Sequence, residues 1–136
     1  MLRKGLFITF EGIDGAGKTT QVLKTYERLA AQGISPLLQV REPGGTPLGE
    51  RLRPLLTESL LNISPTAELL LFNAARSQLM TEAIMPCLEA HGVVLCDRYT
   101  ASTLAYQGYG RGLRLRDIKS LIKVATRGLT QDLYIL

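Results

Sequence analysis

Residues 12 to 19 read Gly12-Ile13-Asp14-Gly15-Ala16-Gly17-Lys18-Thr19, and no other stretch of the chain restricts its fold so tightly. The run Leu6-Phe7-Ile8-Thr9-Phe10 before it is short, aromatic and β-branched, as a buried strand requires. After it, Val22, Leu23, Tyr26, Leu29 and Ala30 recur at three- and four-residue spacing until Gly33, so a helix is expected from Gly17 to about Gly33. A strand, a glycine loop and a helix in that order place a ring of backbone amides at a helix N-terminus. That arrangement binds anions. The spacing is G-x-x-x-x-G-K-[ST], in which the lysine reaches the outer phosphates of a nucleotide and the hydroxyl ligates Mg²⁺. Gly12 through Thr20 are therefore the candidate residues for the phosphates of ATP.

The remaining pattern alternates strands with helices. Pro36-Leu37-Leu38-Gln39-Val40 reads as the second strand and completes a right-handed βαβ unit. Leu48, Leu52, Leu55 and Leu56 mark a short amphipathic helix. Ser64 can cap, and Pro65 can begin, a long helix from about Thr66, which Pro86 should bend or restart near Ile84 and Gly92 should end. Val93-Val94-Leu95-Cys96, closed by Asp97, is apolar throughout and reads as a third strand buried on both faces. Leu115, Ile118, Leu121, Ile122 and Ala125 line one helical face opposite Arg116, Lys119, Lys123 and Arg127, and Asp132 to Leu136 begins a fourth strand. The Gly108 to Gly112 stretch reads as a mobile loop. This alternation predicts one three-layer α/β domain over residues 1–136.

Composition narrows the partners. No apolar run approaches the ~20 residues of a membrane helix, and the start Met1-Leu2-Arg3-Lys4-Gly5 is too briefly apolar for a signal peptide. A soluble, cytoplasmic protein without membrane contact is the expectation. Cys87 and Cys96 lie at no metal-ligand spacing from His91 and read as small core residues. The formal net charge of +4 favours anionic ligands without requiring nucleic acid. The basic residues between Arg111 and Arg127 follow helical spacing, as on any solvated amphipathic helix, so no nucleic-acid partner is expected. Asn62 and Asn73 are followed by Ile and Ala, so the chain has no Asn-Lys-x-Asp guanine reader and a GTP switch is disfavoured.

Asp97 and Thr19 are the candidate Mg²⁺ ligands, since a carboxylate at the strand edge beside the loop completes such a site. Arg98 follows directly and is suited to clamp a phosphate.

Four stretches together carry a family resemblance: Glu11 to Thr20, Arg41-Glu42-Pro43-Gly44-Gly45-Thr46, Asp97-Arg98-Tyr99 and Ser102-Thr103-Leu104-Ala105-Tyr106-Gln107-Gly108. In residues, order and spacing they resemble bacterial thymidylate kinase, and the resemblance spans the chain. It implies the three-layer P-loop nucleoside monophosphate kinase fold, with sheet order 2-3-1-4 and four of five expected strands present. It also implies transfer of the ATP γ-phosphate to dTMP, giving dTDP, and a homodimer packed through helices.

Residue by residue, the resemblance implies that Phe72 stacks on the pyrimidine and Arg76 bonds its O4. The i, i+4 spacing of this pair puts both on one face; alone it reads better as a core phenylalanine beside a surface arginine, and the resemblance reverses that preference. Arg98 and Arg53 become clamps on the acceptor phosphate. Glu42 lies in the acceptor-site loop. Ser102, Thr103 and Gln107 line the base pocket, and Tyr106 crowds the sugar 2′ position. Asp14 stands beside the acceptor's 3′-hydroxyl and the metal, so Asp14, Lys18 and Arg98 are the candidate catalytic residues. The loop has no basic residue in Asp14-Gly15-Ala16; the bacterial type supplies that cation from a lid after the fourth strand, so the stretch ending at Leu136 is expected to be weakly active or inactive alone. Another nucleoside monophosphate kinase, or a noncatalytic nucleotide-binding module, remains the alternative.

Overall fold

The computed structural model describes residues 5–58 and 60–136. Residues Met1 to Lys4, where the reading against a signal peptide begins, and Ser59 lie outside the described residues. Strand β1 (Leu6–Phe10) leads through the glycine loop into α1 (Lys18–Ala31), β2 (Leu37–Arg41), α2 (Pro47–Thr57) and α3 (Pro65–Leu79). After α3 come a π-helical segment (Met80–Ile84), α4 (Met85–Glu89), β3 (Val93–Asp97), α5 (Thr100–Thr103), a second π-helical segment (Leu104–Gly110), α6 (Leu115–Thr126) and β4 (Leu133–Ile135).

The four strands form one parallel sheet in the order β2-β3-β1-β4, matching the expected 2-3-1-4. β2 pairs with β3 rather than with β1, so the first βαβ crossover leaves room for a strand between its two ends. Alternation along the central strands divides the apolar side chains between two faces. Phe7, Val94 and Cys96 join Leu79, Met80, Ile84, Leu88 and Tyr99 in one cluster. Ile8, Phe10 and Leu95 join Val22, with Tyr26 and Leu29 of α1 packed against them, in the other. Helices therefore cover both faces, which makes the fold the three-layer α/β arrangement. Cys87 and Cys96 are both buried and free, as small core residues.

Several local readings are corrected. On α1 the stripe facing the sheet is Val22, Tyr26 and Leu29, whereas Leu23 is 47% exposed and Ala30 is exposed as well. On α2, Leu48 and Leu55 remain exposed; Gly49 is its buried residue, and an added Cβ there would lie 2.8 Å from the Gly44 carbonyl oxygen. The restart expected near Ile84 is observed: a π-helical turn, Met80–Ile84, precedes α4, which carries Pro86 in its first turn. The stretch read as a loop from Gly108 to Gly112 is π-helical as far as Gly110, where a segment of residues 104–110 ends, and turns at Arg111 and Gly112; Gly108 is buried. Ser64 caps α3 as expected, accepting from the Ala67 amide at 3.3 Å. Thr46 caps α2 in the same way, accepting from the Gly49 amide at 2.9 Å. Among the described residues no helix is long and apolar enough to cross a membrane.

Candidate active site

Gly15 and Gly17 have φ of 79° and 89°, a left-handed backbone that a side chain disfavours. Gly17 caps α1 without a side-chain hydrogen bond, leaving the first amides of the helix directed at the loop interior. Lys18 lies over this loop and donates from Nζ to the Ile13 carbonyl at 2.9 Å. Pairing of β1 with β3 sets Phe10 opposite Asp97, which brings the carboxylate to the helix. There the Thr19 hydroxyl donates to Asp97 Oδ2 at 2.8 Å.

These groups wall an open cleft of about 960 Å³ that includes Asp14, Gly15, Gly17, Lys18, Thr19, Thr20, Arg53, Asp97 and Arg98. Gly12 and Ile13 instead line a hollow on the other side of the loop, against Tyr134 and Leu136. Ala16 appears in neither wall.

A second cavity of about 450 Å³ adjoins the first and gathers Phe72, Arg76, Ser102, Thr103, Tyr106 and Gln107. Asp14, Glu42, Arg53 and Arg98 face both spaces. Arg76 is only 2% exposed, so it is not the surface arginine that its spacing alone allowed. Its Nε and Nη2 donate to Glu42 Oε2 at 2.8 and 2.5 Å, and Nη2 also donates to the Tyr99 carbonyl at 3.1 Å and to Thr103 Oγ1 at 2.9 Å. Nη1 makes only a long 3.5 Å contact with Asn73 Oδ1, and this is the edge left for a ligand. Burial lifts the Glu42 carboxyl above its usual range against the opposing charge and hydrogen bonds of Arg76, and Glu42 Oε1 is buried without a hydrogen bond among the described residues. Burial likewise disfavours charge on Arg76, but Glu42 outweighs it and holds the guanidinium more firmly protonated than usual. Glu42 is thus the partner of Arg76, a role that membership in the acceptor-site loop did not specify.

Arg98 has φ 70°, so the chain turns sharply off β3 at this residue. Its guanidinium is ion-paired with Asp14 and lies 5.3 Å from the centroid of the Tyr106 ring. Partial burial pulls its pKa down, yet Tyr106 and Asp14 outweigh this and raise it above the ordinary arginine value. Arg53 Nη1 donates to the Pro43 carbonyl at 2.7 Å; burial and the charge of Arg41 lower its pKa.

The sequence reading gave no site role to Glu68, Tyr99 or Glu11. Glu68 accepts from Gln107 Nε2 at 2.9 Å and from Arg111 Nη1 at 3.3 Å, which fixes the Gln107 amide at the cavity wall. Tyr99 packs beneath the Arg76 guanidinium at 5.3 Å. Glu11, 4% exposed, accepts from the Tyr99 amide at 2.7 Å and from the Ser102 hydroxyl at 2.5 Å. Only Glu11 carried a local signal, a carboxylate ending an otherwise apolar strand. The rest depend on partners far along the chain.

Residues 10–136 match the family model described as thymidylate kinase. The chain is 53% identical over 139 residues to the thymidylate kinase of Thermosynechococcus vestitus, an alignment covering 95% of this chain and 58% of that protein. It is 54% identical over 132 residues to the thymidylate kinase of Desulfovibrio desulfuricans, covering 96% and 60% respectively. The chain thus spans about three fifths of the length of these curated relatives. The crystal structure of thymidylate kinase from Ehrlichia chaffeensis superposes with a TM-score of 0.90 at 40% identity, covering 96% of this chain and 74% of that one. Matching in sequence along nearly its whole length, and in fold with a TM-score of 0.90, the chain belongs to the thymidylate kinase family.

Proposed function

We propose that the protein transfers the γ-phosphate of ATP to dTMP, giving dTDP, and that residues 1–136 form one P-loop kinase domain of that enzyme. The observation that carries this reading is the shared wall: Asp14, Arg53 and Arg98 face both the phosphate-loop cleft and the cavity of Phe72 and Arg76. A donor in one and an acceptor in the other would meet there. Phosphoryl transfer needs alignment and neutralised charge more than a proton acceptor, and the dTMP phosphate is itself the nucleophile.

In this reading the loop amides and Lys18 hold the ATP phosphates, and Arg53 and Arg98 hold the phosphate of dTMP. Phe72 stacks on thymine, and Arg76 offers Nη1 to O4 while Glu42 fixes its other edge. Ser102, Thr103 and Gln107 complete the base pocket. Tyr106 crowds the 2′ position, excluding a ribose by contact. Asp14 faces the acceptor's sugar. Thr19 and Asp97 bring a hydroxyl and a carboxylate oxygen together, the hard donors that suit Mg²⁺; when bound, the ion would neutralise charge on the ATP phosphates. The enzyme works as a cytoplasmic homodimer, without nucleic-acid or membrane partners, and sedimentation at high concentration tests the dimer.

Titration calorimetry with dTMP, dUMP, dCMP and UMP, beside an assay of dTDP formation from ATP, tests the reaction. dTMP should bind tightest and UMP weakest. Equal or absent binding of all four removes the assignment.

A further inference from the structure

Glu11 joins the phosphate loop to the acceptor rim through the interior. Pairing of β1 with β3 ends at Phe10 and Asp97, after which the Arg98 amide still donates to the Phe10 carbonyl at 2.9 Å. Beyond that bond the two chains part, one into the glycine loop and the other into α5. The Glu11 carboxylate spans the gap. One oxygen takes the amide of Tyr99, the residue after Arg98, and the other takes the hydroxyl of Ser102, one turn into the acceptor segment. α5 is only four residues long and has no side-chain cap at its start, so little else in its own sequence fixes it. The Arg98–Asp14 pair links the same two segments at the surface, where Asp14 is 93% exposed.

A carboxylate 4% exposed whose hydrogen-bond donors are a neutral amide and a neutral hydroxyl is an expensive way to join two segments by stability alone. We propose that Glu11 is a positioning residue that sets the distance between the phosphate loop and the acceptor rim of Arg98, Ser102 and Thr103, and so aligns donor with acceptor. This rests on the kinase reading above. Glu11 touches neither nucleotide; it acts through Tyr99 and Ser102. What matters is the reach of the side chain and not its charge. A glutamine has the same reach, and its amide can accept from Tyr99 with the oxygen while donating to the Ser102 oxygen. An aspartate keeps the charge but is one methylene too short to hold both.

The test is steady-state kinetics of Glu11→Gln and Glu11→Asp in the full-length protein, with the affinity for ATP and for dTMP measured separately by calorimetry. Glu11→Gln should stay within about 3-fold of the parent kcat. Glu11→Asp should lose kcat on the order of 10²-fold, the penalty of a misplacement near 1 Å, while each nucleotide alone binds within about 3-fold of the parent. If the aspartate variant does not fold, Glu11→Ala serves the same arm. An inactive glutamine variant beside an active aspartate variant would make Glu11 an electrostatic or metal-binding group and overturn the proposal. So would a folded, shortened variant with unchanged kcat. A parent protein that forms no dTDP would instead count against the kinase reading.

Discussion

Removing the Arg76 side chain leaves the Glu42 carboxylate buried with no cation beside it, because that guanidinium supplies both hydrogen bonds to Oε2. Breaking one half of a buried ion pair costs about 3–5 kcal/mol, more than the ~1–3 kcal/mol of a lost bond to a base edge. Arg76→Ala should therefore lower stability in urea by about that larger amount, in addition to weakening dTMP far more than ATP. An Arg76→Met, Glu42→Met double variant should recover much of the stability but none of the dTMP affinity. Equal stability of Arg76→Ala and the parent would show that the pair is not a packing element. None of this was legible in the sequence. The spacing of Phe72 and Arg76 put them on one face, but nothing local reveals that Glu42, 34 residues away, would be the partner. The same holds for Glu68 with Gln107 and for Glu11 with Ser102, each a contact made only once the sheet has assembled.

The elements that could be read from the chain were those whose own pattern suffices. β1, the glycine loop, α1 and β3 announce themselves through apolar runs and glycines, and their bounds fall within a residue or two of expectation. The 100–110 segment did not, because Ser102, Thr103, Gly108 and Gly110 break any apolar period and its helix is partly π. It is held by burial of Gln107 and Gly108 and by Glu11, all tertiary. A cap, by contrast, is local. Thr46 closes α2, the helix that carries Arg53, by accepting from the Gly49 amide. Thr46→Ala should cost about 1 kcal/mol, readable as a lower urea midpoint with an unchanged slope. Thr46→Ser should restore most of the loss.

Across the whole molecule, one sheet separates two apolar clusters, with Val94 on the side of α3 and α4 and Leu95 on the side of α1. Both side chains are fully buried. Leu95→Ala should cost about 2–5 kcal/mol. Because the clusters share the backbone of β3, loss of either should lower a single transition seen alike by far-ultraviolet and near-ultraviolet circular dichroism. Two separated transitions would mean that the layers unfold independently.

The four residues common to both cavities, Asp14, Glu42, Arg53 and Arg98, also constrain the thermodynamics of binding. Because the same four side chains face both spaces, a ligand charge in one space lies in the field of the groups that the other ligand meets. Two nucleotides bound there cannot have independent isotherms. Whatever factor an ATP analogue imposes on the affinity for dTMP, dTMP must impose the same factor on the analogue. If Arg98 and Arg53 serve both anions as proposed, that factor should lie below one while Mg²⁺ is withheld. Adding Mg²⁺ should move it upward, so the coupling between the two nucleotides would shift from a weak antagonism toward indifference or cooperation, whichever is added first.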